Sequence, residues 1–195
     1  MFELESVWHP SAPVARVWPV LADPRFTWPD WWPGLTAAAS GPVVGPDGLA
    51  APGTWARLRV RSPLGYALAF RLDLVEVTPP SDGATGRARL NVSGDLTGRA
   101  DVTVSAASTS STGGVSSAGG VSSTGGVSSA GIPRSPDRAG SDGEAGASEV
   151  RLLWAVSPVP VWFRVAARVT PRPLAWAHAH VMRAGERGLV ERLRE

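Results

Sequence analysis

Along the middle of the chain, apolar and polar residues alternate with a period of two. In Trp55 to Arg61, Leu58 and Val60 interleave with Arg57, Arg59 and Arg61. From Tyr66 to Val77, the residues Tyr66, Leu68, Phe70, Leu72 and Leu74 share one side, while Arg71 and Asp73 share the other. The pattern returns in Ala88, Leu90 and Val92, in Ala100, Val102 and Val104, and in Val150, Leu152, Trp154 and Val156. Successive side chains of a strand point to opposite faces, so each run predicts a strand with one dry and one wet face. Such a set belongs to an antiparallel sheet solvated on one side. Phe2 to Trp8 predicts a further strand, and Leu35 to Val44 a weaker one. Pro79-Pro80-Ser81-Asp82-Gly83 reads as a hairpin turn, and Ser93-Gly94-Asp95 as a second turn or bulge.

At both ends the period becomes helical. From about Leu174 to Leu193, the residues His178, Val181, Met182, Gly185, Leu189 and Leu193 fall on one side, and Arg183, Arg187, Glu191 and Arg194 on the other. Pro171 and Pro173 mark its start or a kink, and Val161 to Val169 reads as a preceding helical piece. Near the N-terminus, Ser11 is placed to cap a helix from Ala12 to about Ala22, with Val14, Val17, Trp18 and Leu21 on its apolar side. Pro19 lies inside it and removes a backbone bond, which kinks or shortens the helix. Trp28-Pro29-Asp30-Trp31-Trp32-Pro33-Gly34 follows, a short helix or turn holding three of the nine tryptophans. An indole offers a large apolar body and one N–H, and this proline-punctuated cluster predicts the packed rim of a cavity. The predicted architecture is α+β: a helix-grip in which a curved antiparallel sheet of six to seven strands wraps around a long C-terminal α-helix, with two short helices after the first strand. One helix cannot fill a concave sheet, so a cavity between them follows.

Residues 105–148 break the pattern. Gly113-Gly114-Val115-Ser116-Ser117-Ala118 recurs twice in succession, giving three copies with one valine each. Such copies cannot bury a core, and the stretch predicts a disordered Gly/Ser-rich insertion in a single domain spanning 1–195. Hydrophobic residues make up 43% of the 195, enough for a core. There is no cysteine, which excludes disulfides and thiolate metal sites. All 19 basic residues are arginine, yet the net charge is only +2 because acidic residues are interspersed. Nucleic-acid binding needs clustered, unopposed charge, so no nucleic-acid partner is expected. The first residues lack the basic and apolar regions of a secretory signal, and no run reaches the roughly 18 apolar residues of a spanning helix. The expected location is cytoplasmic.

Val17-Trp18-Pro19-Val20-Leu21-Ala22-Asp23-Pro24, Trp31-Trp32-Pro33-Gly34, Gly94-Asp95-Leu96-Thr97-Gly98 and Trp176-Ala177-His178-Ala179-His180-Val181-Met182-Arg183 together resemble the START/Bet v 1-like (SRPBCC) superfamily. Within it, the likeness is to the bacterial polyketide cyclase/dehydrase-like branch. It covers nearly all of the chain except residues 105–148, and departs from the pattern at Pro19 and in that insertion. The resemblance implies a hydrophobic pocket between sheet and C-terminal helix. Members bind lipids, polyketides, quinones or hormones, and only some catalyse.

The function expected is binding of a small hydrophobic or aromatic ligand, of polyketide, lipid or quinone type. The alternatives are a cyclase or dehydratase on the same scaffold, or a protein or membrane interaction module that uses the tryptophan-rich segment; any membrane contact would be transient. The ligand-contacting residues expected are Trp32, Tyr66, Phe70, Leu90, Trp154, His178 and Met182. His178 is also the candidate acid/base, set against a core histidine satisfied by a neighbour. His180, two residues on, points away from it, so the pair cannot chelate, and no metal or cofactor is expected. Tyr66, Phe70 and Trp154 equally suit packing. Trp162 and Phe163 are placed to gate an entrance, and Trp176 to pack under arginines or on the tryptophan-rich segment. Arg57, Arg59 and Arg61 form an outward row expected to pair with Asp73 or Asp101; a phosphate or anionic-lipid contact is the sharper alternative. Asp95 reads as turn chemistry. No Walker loop, dinucleotide fingerprint or nucleophile elbow is present.

Overall fold

The computed structural model describes residues 2–81, 85–107, 146–160 and 171–195. The alternating segments form seven strands: β1 (Phe2–Trp8), β2 (Leu35–Gly41), β3 (Trp55–Arg61), β4 (Ala67–Thr78), β5 (Gly86–Gly94), β6 (Leu96–Ala106) and β7 (Ser148–Pro158). They make one antiparallel sheet in the order β1-β7-β6-β5-β4-β3-β2. Two short helices, α1 (Val14–Leu21) and α2 (Trp28–Trp31), separate β1 from β2, and a 22-residue helix, α3 (Pro171–Arg192), closes the chain. The architecture is the helix-grip α+β fold.

The alternation sets the faces. Leu58, Phe70, Leu72, Leu74, Leu90, Val102, Val150 and Leu152 are buried in one core with α1, α2 and α3. The rings of Phe70 on β4 and Trp154 on β7 meet edge-on at 6.1 Å although β5 and β6 lie between their strands. The sheet is therefore strongly curved. Its concave face has room for those rings because β6 carries Gly98 and Ala100 there, opposite Val156 and Trp154. Along β4 the register shifts between Leu74 and Glu76. The extra residue, Val75, is exposed, and Val77 rather than Val75 joins the core.

Two local expectations change. Helix α1 is not capped by Ser11: it starts at Val14, and Pro13 occupies the cap position with no side-chain bond. Pro13 disfavours helical geometry at Ala12, so the first turn forms from the Pro13 carbonyl, which accepts from Arg16 and Val17 amides at 2.9 and 3.2 Å. Pro19 accordingly sits in a short helix of 8 residues. The arginine row of β3 is not paired as expected. Asp73 bonds Arg71 at 2.6 Å, and Asp101 bonds Arg89 at 2.9 Å. The reason is register: Arg57 faces Arg71 across β3 and β4, while Arg59 and Arg61 face alanines. Arg57 and Arg71 instead flank the Trp55 ring, at 5.9 and 4.2 Å from its centre.

Of the expected insertion, residues 108–145 lie outside the described residues, as do 161–170, which include Trp162, Phe163 and the helical piece expected there. The two ends of the insertion are strand: β6 runs on to Ala106, which pairs with Ser148 at the start of β7. The Ser148 amide also donates to the carbonyl of Pro10.

Candidate functional site

Helix and sheet leave between them a cavity of about 340 Å³, near the lower end of the roughly 300–1,000 Å³ typical of small-molecule sites. Its floor is the dry face of the sheet, including Leu4 of β1, Leu58 of β3, Leu68, Phe70 and Leu72 of β4, and Trp154 of β7. Its roof is the N-terminal half of α3, with Ala177, His178, Val181 and Met182. Trp28 and Trp32 stand at one end; Phe2, Tyr66, Pro158 and Leu174, at the ends of β1, β4, β7 and α3, gather at the other.

The tryptophan-rich segment makes this wall because it is tied to both neighbouring helices. The Trp28 indole donates to the Leu21 carbonyl at the end of α1, and the Trp32 indole to the Val181 carbonyl of α3, each at 3.0 Å. Trp8 packs edge-on against Trp32 at 5.2 Å, and Trp31 stacks beside it at 5.8 Å. Trp28, Trp31 and Trp32 are all buried. A protein or membrane partner therefore cannot reach these indoles without dislodging the segment, which counts against the interaction-module reading.

The structure brings six of the sequence-predicted contacts to this cavity: Trp32, Tyr66, Phe70, Trp154, His178 and Met182. Leu90 is not among them. It points inward, but it pairs with Leu74 and Ala100 further along the strands and lines a separate, smaller cavity. Alternation predicts the face of a residue and not its depth. Ser62, Leu58 and Leu4 line the main cavity without having been singled out; strand parity alone contained the signal for the two leucines. Trp176 is 50% exposed, and its ring lies against His180, one helical turn on, at 5.7 Å. It does not rest on the tryptophan-rich segment, because it sits on the outer face of α3. Asp95 is structural: its carboxylate accepts from the Ala69 amide at 2.8 Å, and its own amide donates to the Ala69 carbonyl at 2.9 Å.

Apart from indoles, the polar side chains on the described wall are Ser62, Tyr66 and His178, with no Asp, Glu or Arg among them. The Ser62 hydroxyl accepts from the Leu64 amide. His178 Nε2 lies 3.3 Å from the hydroxyl of Ser6 on β1. Burial holds the imidazole below its ordinary value of 6.5, so it is neutral at pH 7. Among the described residues no group of acidic and histidine side chains is placed to hold a metal ion, and no helix is long and apolar enough to cross a membrane.

The buried imidazole makes stability depend on pH. Just below pH 6.5 the unfolded chain takes up a proton at this position while the folded chain resists it. The unfolded state then binds more protons, so stability is full above that value and falls as the pH drops towards the lowered value of the folded state. His178→Gln is expected to flatten this slope, read as the urea midpoint against pH; an unchanged slope would remove His178 as its source.

A seven-stranded antiparallel sheet gripping a C-terminal helix over an apolar cavity is a helix-grip fold. Among solved structures, the chain resembles a conserved protein from Geobacillus kaustophilus (TM-score 0.54, 10% identity, covering 99% of this chain and 95% of that one). It also resembles the Zhui aromatase/cyclase from a Streptomyces species (TM-score 0.51, 14% identity, 99% and 93% covered) and a protein from Thermus thermophilus (TM-score 0.51, 11% identity, 97% and 98% covered). At such identities the likeness is one of fold. The sequence matches no family model and no curated protein.

Proposed function

We propose that the protein binds a small, neutral hydrophobic or aromatic molecule, of polyketide, lipid or quinone type, in the cavity between the sheet and α3. One observation carries this reading: the described wall is almost wholly apolar and, apart from indole N–H groups, holds only the polar groups of Ser62, Tyr66 and His178. Burying the apolar surface of a ligand there contributes about 25 cal/mol per Å² before the costs of association are subtracted. A carboxylate or phosphate inside would lose its hydration with no opposite charge on the described wall, so neutral ligands are favoured. A cytoplasmic setting belongs to this reading and agrees with the absence of cysteine.

A second reading, a cyclase or dehydratase on the same scaffold, is favoured by one observation: His178 lies on the wall with Ser6 behind it to fix its ring. A neutral imidazole can move a proton at a bound carbonyl, and a cavity closed by sheet and helix can hold a ligand in a set pose.

The test is native mass spectrometry of protein purified without organic solvent, followed by denaturation and extraction. A co-purifying neutral hydrophobic molecule is the expected result, or, from an empty preparation, stoichiometric uptake of a neutral naphthylamine dye that quenches the emission of the wall tryptophans. The absence of both a bound molecule and dye uptake would overturn the reading. His178→Ala that retains binding but loses turnover of the extracted molecule would select the enzyme.

A further inference from the structure

The main cavity and the smaller one, of about 30 Å³, are lined by different residues with one exception, Trp28. The inward residues of β4 show where the division falls. Leu68, Phe70 and Leu72 line the main cavity, whereas Leu74 and Val77 line the smaller one. Leu72 and Leu74 are two residues apart, about 7 Å along a strand, so the barrier is about one indole thick. Beyond it lie Leu90 and Val102, continuing the same apolar floor.

The indole is held on several sides. Its N–H donates to the Leu21 carbonyl at 3.0 Å. The Phe26 ring packs against it at 5.2 Å. Phe26 itself has φ of +52°, a left-handed conformation that is unfavourable for a residue with a Cβ. The Asp23 carboxylate steadies that turn by accepting from the Arg25 amide at 2.9 Å and the Thr27 hydroxyl at 3.0 Å. A strained turn, a side-chain clasp and an indole hydrogen bond thus fix one ring between the main cavity and a smaller one, whose lining adds Asp23 to aliphatic and aromatic side chains.

We propose that Trp28 is the specificity-determining partition of this protein: it ends the ligand cavity and sets the longest apolar ligand the cavity accepts. The inference rests on the ligand-binding reading above. It gives Leu90 a role as well, as a contact that a ligand reaches only when the partition is removed.

The experiment measures dissociation constants for a homologous series of neutral primary alcohols, one methylene apart, on the full chain and on Trp28→Leu. In the parent protein, affinity rises about fourfold with each buried methylene and then stops rising at a limiting length. In Trp28→Leu the rise continues past that limit, and adding Leu90→Phe, which refills the smaller cavity, brings the limit back. Trp28→Phe, which keeps a ring but loses the N–H, carries the same test if the leucine variant does not unfold cooperatively, with a smaller extension. An identical limit in the parent and in a folded Trp28 variant would overturn the partition and leave the ligand-binding reading standing. No binding of any alcohol by the parent would overturn both.

Discussion

Gly188→Ala is expected to destabilise the protein by about 3 kcal/mol, the upper part of the range for overpacking a closed contact. The sign is what makes the experiment informative. In an open helix interior the same change stabilises by about 1 kcal/mol, because alanine is the better helix former. At position 188 of α3, an added Cβ would fall on the carbonyl oxygen of Trp31, with Pro33 Cδ 3.4 Å away. A backbone oxygen cannot rotate aside, so α2 must lift from α3. One turn earlier, a Cβ at Gly185 would meet the Trp32 indole, including Cζ2 at 2.7 Å. That ring is pinned by its bond to the Val181 carbonyl. Gly185 and Gly188 thus form the landing place on α3 for the tryptophan-rich segment, and through it they position the end wall of the cavity. Urea unfolding checks this. The midpoint should fall with an unchanged slope, while Arg187→Ala, exposed on the same helix, stays within about 0.5 kcal/mol. A gain in stability for Gly188→Ala would mean that the close approach of α2 to α3 is wrong.

The same contact illustrates what the sequence could and could not disclose. Period two in Leu68, Phe70, Leu72 and Leu74 is enough to place those side chains on the dry face, because strand geometry leaves only two faces. Helical spacing likewise puts His178, Met182 and Gly185 towards the core. Neither signal reaches across the chain. Ser6 meets His178 over a separation of 172 residues, and Gly188 meets Trp31 only because α2 crosses α3. Depth along the sheet is equally hidden, so Leu90, correct in its face, lines the smaller cavity rather than the main one. The helix start differs for a local reason: a capping serine at position 11 is overridden by the constraint that Pro13 places on Ala12. The arginines of β3 differ because pairing depends on register, which sets Arg57 opposite Arg71.

Ala177→Phe is the converse of Gly188→Ala, since here the added atoms enter empty space. Ala177 is buried and sits on the roof of the 340 Å³ cavity. A ring at this position projects from α3 towards the floor of the sheet and takes up part of the volume available to a ligand. Filling a cavity restores contacts that its lining lacks, and substitutions of this kind commonly stabilise by about 0.5–2 kcal/mol. Ligand affinity should move the other way, by about tenfold or more, because a ligand that competes with the new ring loses two or more methylene-sized contacts, each worth about fourfold. Opposite signs are the expected outcome: a raised thermal midpoint in the free protein and weakened uptake of the neutral naphthylamine dye. That combination separates a cavity kept open for a ligand from a mere packing defect, since filling a defect would stabilise the protein without touching its binding. Unchanged dye affinity in a stabilised Ala177→Phe protein would move the binding site away from α3 altogether.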